Sequence, residues 1–542
     1  VSFIMPNKPI QPVAITSPGF FGINTQDSGV TLDLSFTLEA DNAVIDKSGR
    51  MAARRGWEYQ TTAGGTSTVP ECMVEFDNYT ATGSHTIISG GDEKLYRGEG
   101  TMSAMPVYAT DGSATLTYTI TDNNWQFKQA EYESGLNFSP HMYAVQKGHP
   151  TLVYHKLPTG GGGSHSHTGD FGFQRLVDVG SVPSGYSATT FTPNVALSAF
   201  GRMWMANIVN DPLTIYHSRL LEGSEFTGSG SGQLNLEKVV PGGDKITALA
   251  AHNNFLVIFC EHHIVLYQNA DDVSNISLND VIVGTGCIAR DSVQVIGTDL
   301  VFLSDSGLRS LGRTIQEKSA PLRDLSKNVR DNFLSLVAVE SKDEIRSIYY
   351  EKEAFYLLTL PASGFTFCFD VRATLPDGSY RVTRWDSIDP SSLAVTNDNR
   401  LLLGQPNGIA QYKNFTDGGS SYVFSYLSPY LDFGNPAVTK IPKKINVTVI
   451  GAINTTLALK WAFDYENSFN NADVQTKEGN IAEYGTAEYN VAEYSASVFI
   501  DKLSTQLSGN GTILQVGVNA SIDSNPLSLQ KIDIYSVLGR TI

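Results

Sequence analysis

The side chains that could do chemistry in this chain are few, and one group of them repeats. Between Asn480 and Ser497 the sequence reads NIAEYGTAEYNVAEYSAS, so Ala-Glu-Tyr recurs at Ala482, Ala487 and Ala492. A step of five matches neither the period of about 3.6 of a helix nor that of about 2 of a strand, so each unit is expected to be a short strand or turn step. The segment carries three glutamates and neither lysine nor arginine. As a tongue it presents Glu483, Glu488 and Glu493 beside Tyr484, Tyr489 and Tyr494. In a ring of subunits those carboxylates would stack into acidic belts facing a channel. The bland alternative is a local duplication that forms an inert surface loop.

Histidines cluster at His165/His167 and His262/His263. The first pair sits in the glycine-rich run TGGGGSHSHTGD, with only Asp170 nearby as a third ligand, whereas metal sites need three or four fixed ligands. His262 and His263 are sequence neighbours that project to opposite strand faces and cannot chelate together. No nucleophile elbow, zinc-protease motif, phosphate loop or dinucleotide fingerprint appears. Carboxylate neighbours such as Asp343-Glu344 read as solvated turn charges. The Ser-x-Asp-x-Gly-x-Thr-Trp box of propeller glycosidases finds only Ser304-Asp305-Ser306-Gly307, with the wrong spacing and no tryptophan. The sequence therefore predicts no catalytic residue, no metal and no cofactor. A carbohydrate-binding or glycosidase-type β-propeller is the alternative.

The elements that must carry these residues are β-strands. Only 17% of the 542 residues are charged, while Gly (49), Tyr (24) and Phe (26) are plentiful. Aromatics favour pleated, half-buried surfaces, and glycine supplies the dihedrals of tight turns. The 38 basic against 55 acidic residues leave a net charge of −17. Such a surface repels nucleic acid, which excludes a phosphate grip but not a smooth conduit. Cys72, Cys260, Cys287 and Cys368 are far apart, and two lie in apolar runs, so reduced buried thiols are expected. Val1 to Ile15 is broken by Pro6, Pro9 and Pro12 and does not read as a signal peptide. The longest apolar run, Phe255 to Cys260, is far below the ~18 residues of a membrane span. A protein made in the cytosol, without a membrane segment, is expected.

One hairpin pattern recurs: apolar strand, short polar or glycine turn, apolar strand. Its turns, marked by Gly91, Gly148, Gly201, Asn253, Thr298, Glu353 and Asn399, are separated by 57, 53, 52, 45, 55 and 46 residues. Spacing near ~40–50 residues is the signature of propeller blades, whose small sheets bury each other's faces. The chain is therefore expected to be all-β, a β-propeller of six to seven blades with an extended N-terminal arm and a C-terminal β-domain. Residues 1–59 form the arm and a closing strand, 60–433 the propeller, and 434–542 a β-rich domain. One helix is expected over Pro321 to Ala338, where Leu322, Leu325, Val329 and Phe333 share a face.

Several phrases resemble the tail nozzle family of short-tailed bacteriophages, which includes tail tubular protein B and packaged-DNA stabilisation proteins. They are Gly22-Ile23-Asn24, Ala40-Asp41-Asn42 and Arg55-Gly56-Trp57, then AFGRMWMA (199–206), DLVFLSDSGLRSL (299–311), CFDVRATLPDGSYRVTRW (368–385) and NGIAQYKNFTDGG followed by YLDFG. The resemblance implies a structural component of a virion tail, assembled in the host cytoplasm. It implies a homohexameric ring below the tail adaptor ring, with tail fibres or a needle tip as further partners. Viral DNA would pass through the lumen without sequence-specific binding and be retained there before ejection.

Overall fold

Short strands with apolar residues on both faces build this molecule, because such strands must be covered on both sides. The computed structural model describes residues 10–60, 68–78, 84–110, 115–134, 137–157, 171–240, 242–317, 324–477 and 500–541. The protein is a seven-bladed β-propeller joined to a β-sandwich. The innermost strands of the blades are Cys72–Asn78, Gln126–Ser134, Val195–Ala199, Ile246–His252, Gln294–Ile296, Arg346–Tyr350 and Leu393–Val395. They touch in that order around the axis and close on the first. The turn Arg290–Ser292 helps fill the fifth position.

Each of the seven turns expected from sequence is a hairpin turn of one blade. In the first two blades it joins the second strand to the third, and in the other five the first to the second. Asn253, Asn399, Gly148 and Gly201 take the positive φ that such turns demand.

Side-chain alternation closes the ring. In Phe255–Cys260 of blade four, Leu256, Ile258 and Cys260 pack with Trp204 and Ile215 of blade three. The intervening Val257 and Phe259 pack with Leu300 and Phe302 of blade five. Likewise Leu402 of blade seven meets Met73 and Ile87 of blade one, while Leu401 and Leu403 face Leu357 and Trp385 of blade six. Burying such a side chain contributes about 1.5–3 kcal/mol, and a blade alone would forfeit that on both faces. All four cysteines are buried among these strands as free thiols.

The C-terminal region is a sandwich whose two sheets are shared with the rest of the chain. Strand Val438–Ile450 lies between Ile500–Gln506 and Ser528–Thr541, and the last also pairs with Ile10–Ile15 of the arm. Its Val447 and Val449 pack against Leu459, Val516 and Val518 of the facing sheet. That second sheet runs from Asn470–Gln475 through Tyr422–Leu427 to Glu39–Asp41 of the arm, and from there into blade six. The sandwich thus continues a propeller blade.

The helix begins later than its pattern suggested. A single 3-10 turn at Lys327–Val329 leads into Arg330–Val339, and Pro321 and Leu322 lie outside the described residues. Leu325, Val329, Phe333 and Val337 are buried as one stripe all the same. Leu325 stands in a turn ahead of the helix instead, its N–H on Leu308 and its carbonyl receiving Tyr380 N–H. No helix among the described residues is long and apolar enough to cross a membrane.

Candidate functional site

The phrases that carry the family resemblance lie far apart in sequence, yet most of them meet where the arm crosses blades six and seven. Gly22–Ile23 runs over the outer strand of blade six. A Cβ at Gly22 would stand 2.6 Å from the Val382 backbone, so only glycine allows this approach. Asp41 then receives both Nε and Nη2 of Arg384 at 2.7 Å. Asn42, in left-handed backbone with φ 53°, donates its amide to Asp386 and to the Val423 carbonyl. Burial works against the Arg384 charge, but Asp41, Glu39 and Asp386 more than restore it. Glu39 is the perturbed acid of the group, its carboxyl pushed up first by burial and then by Asp41.

Arg54 is the hub. It is fully buried, donates Nη1 and Nη2 to Asp417 at 2.9 and 2.7 Å, and donates Nε to Asn42 Oδ1 at 2.9 Å. Its guanidinium carbon stands 4.2 Å from the centre of the Tyr422 ring, whose hydroxyl donates to the Arg54 carbonyl. Gly56 follows because a Cβ there would meet Thr416 O at 2.0 Å. Trp57–Tyr59 completes blade seven as its outermost strand, with Trp57 opposite Tyr412 and Tyr59 opposite Ala410. Trp385 stacks on Tyr412 with ring centres 5.4 Å apart and donates Nε1 to the Ala43 carbonyl.

Chemically the joint is closed. Arg54 and Arg384 sit in forks on Asp417 and Asp41, and Asp386 accepts the Asn42 amide, so the charges of these residues are spent on one another. A crevice of about 320 Å³ opens beside it between blades six and seven and the strand from Ser528. Arg55 at its rim is paired to Glu353 at 3.1 Å, and Arg372 to Asp370 at 2.8 Å.

The six candidate channel residues, Glu483, Tyr484, Glu488, Tyr489, Glu493 and Tyr494, lie outside the described residues, as do His165 and His167. His262 and His263 do separate into an exposed and a buried side chain, but the structure adds a partner the sequence hid. Asp244 reaches both, with His263 Nδ1 at 2.8 Å and His262 Nδ1 at 3.7 Å. Asp244, Glu261 and His262 bring their ligand atoms within 4.8 Å of one another. Asp244 is nonetheless committed: it also accepts the backbone N–H groups of Lys245, Glu261 and His262 at 2.9 to 3.0 Å. Burial pushes its carboxyl up, and these bonds with His263 outweigh that and hold it low. It organises a turn. Ser304-Asp305-Ser306-Gly307 is likewise a hairpin turn of blade five, with Ser304 Oγ on Asp305 and Ser306.

Comparison with known proteins returns structural neighbours alone. No protein-family model matches the sequence, and no curated protein does. Among solved structures, streptogramin B lyase aligns over 65% of this chain and 95% of its own, with 9% identity and a TM-score of 0.32. The extracellular domain of a protein assigned as a hybrid two-component system of B. thetaiotaomicron aligns over 68% of this chain and 40% of its own, with 10% identity and a TM-score of 0.25. At these values neither match speaks to activity, and the β-propeller rests on the closed order of the chain's own sheets.

Proposed function

We propose that this chain is a structural wall unit of a bacteriophage tail nozzle, a ring that conducts and helps retain the genome. One observation carries the reading: the arm phrases that resemble that family form the paired joint that ties propeller to sandwich. A joint that buries a guanidinium and threads arm strands into both propeller and sandwich suits a wall loaded by pressurised DNA. Open blade edges support the same reading. Blades six and seven end on arm strands, whereas Gly232–Asn235 and Ser277–Val283 are outer edges across the ring that pair with no further strand among the described residues, the latter with Leu278 and Val283 exposed. Such edges are ready templates for another chain. The acidic balance of −17 suits a wall past which phosphate must slide.

In this reading the protein is non-catalytic, resides in the virion tail after assembly in the host cytoplasm, and meets the tail adaptor ring. The test is particle mass, alone and with the adaptor ring. Six copies of the 58.8 kDa chain give a ring of about 350 kDa with an axial channel by electron microscopy. A protein that stays monomeric in both settings overturns the proposal.

A further inference from the structure

The propeller axis holds a second cavity, of about 180 Å³, walled by the innermost strands of six of the seven blades. Its charged lining is Lys128 from blade two, Arg290 from the turn into blade five, Arg346 from blade six, and one carboxylate, Asp291. Arg290 is locked in place. Nη1 donates to Asn194 O and Oδ1 at 3.0 and 2.9 Å, and Nη2 to Asn124 Oδ1 at 2.6 Å and Asp291 at 2.8 Å. Arg346 Nη2 also donates to Asn124 Oδ1, at 2.8 Å, and its Nη1 lies 3.4 Å from Asp291. Asp291 thus balances one arginine, and two positive charges remain.

One donor in the lining, the indole Nε1–H of Trp125, a residue 2% exposed, is buried without an acceptor among the described residues, and the partly buried Lys128 ammonium beside it makes no hydrogen bond to them. A buried polar group left unpaired costs about 1–3 kcal/mol, more if charged. Glu71, Asp122 and Glu344 do not line the cavity, although Glu71 lies close enough to Arg346 to feel its charge.

We propose that the axial cavity binds a small oxyanion, of the phosphate or sulfate class, between Lys128, Arg346 and the Trp125 indole. Such an anion brings the acceptor the buried indole lacks, gives the Lys128 ammonium a partner and neutralises the surplus charge. Size selects it. The cavity has the room of roughly six waters at about 30 Å³ each, and lies below the ~300 Å³ where pockets for drug-sized ligands begin. Burial and the neighbouring Arg290 push the Lys128 ammonium down, with Asp291 only partly offsetting them, and an anion would reverse that. In the middle of a seven-blade ring, the ion would tie blades two and six across the axis.

The probe is inorganic phosphate, against sodium chloride at matched ionic strength, on the full chain. Phosphate is expected to raise Tm by about 2 °C beyond the salt control and to saturate. Lys128→Met should abolish the shift. Trp125 gives an independent reading: the wild type minus Trp125→Phe fluorescence difference should change saturably with phosphate. If Lys128→Met fails to fold, that titration alone decides. Equal effects of phosphate and chloride on Tm, with no saturable indole signal, would overturn the site and leave the nozzle reading untouched.

Discussion

The guanidinium of Arg54 forks onto the carboxylate of Asp417 across 363 residues of chain, with the arginine side chain wholly buried and the aspartate nearly so. Removing one partner of such a pair leaves an uncompensated buried charge. Arg54→Met should therefore destabilise the protein by about 3–5 kcal/mol, read from the urea midpoint. The double variant Arg54→Met/Asp417→Leu should recover much of the loss. An unchanged midpoint for Arg54→Met would show that the fork holds nothing.

Deleting residues up to Tyr59 should give a product that aggregates. It strips the outermost strand from blade seven, exposes the edge Gly408–Tyr412 and orphans Asp417. A gentler variant reaches the same strand: Gly56→Val drives a side chain into Thr416 O. Light scattering and the melting profile check both. A truncated chain that melts like the full one would mean that the ring closes without its arm.

Acid should loosen blade two through His141. Its side chain is buried beside His155, with ring centres 4.9 Å apart, and burial first, then His155, pushes it from 6.5 down to about 3. The unfolded chain therefore binds the proton more tightly, so stability falls as pH drops below about 6.5 and levels off near pH 3. Between pH 7 and pH 5 His141 accounts for a loss of about 2 kcal/mol. His141→Phe should flatten the pH dependence of the urea midpoint by about that amount, with His155, also lowered by burial, leaving a residual slope. Identical profiles for variant and wild type would assign the acid sensitivity elsewhere.

The Ala-Glu-Tyr repeat bears on the conduit. Changing Glu483, Glu488 and Glu493 together to Lys reverses the charge of a segment that holds no cation. In the assembled ring this should create DNA affinity at low salt that fades as salt rises, and should slow genome release. Filter binding across a salt series reads it. Tight binding that ignores salt, or none at all, would remove the segment from the channel wall.

Periodicity made the propeller legible from sequence: seven short turns, five of them marked by glycine or asparagine and each flanked by apolar strands, are seven blade hairpins. Local signals suffice there because a hairpin is a contact between neighbours in sequence. The same signals missed where the hairpin sits within its blade, which differs in the first two blades, and placed the helix start at Pro321, nine residues before the α-helix begins at Arg330. Tertiary hydrogen bonds to Leu308 and Tyr380 hold Leu325 in a turn outside the helix, against its own apolar period.

The joint was visible only as isolated phrases. Nothing local to Arg54 names Asp417, nor does Arg384 name Asp41, because pairing across more than 340 residues is set by how the blades close. Asp244 was hidden behind the two histidines because the hairpins of blade four bring it back to them across 18 and 19 residues, and the Lys128–Arg290–Arg346 group because different blades contribute its members and only the ring brings them together. Composition and period determined that the chain is all-β and bladed. Closure of the ring decided which charges meet, and so where any chemistry or binding can occur.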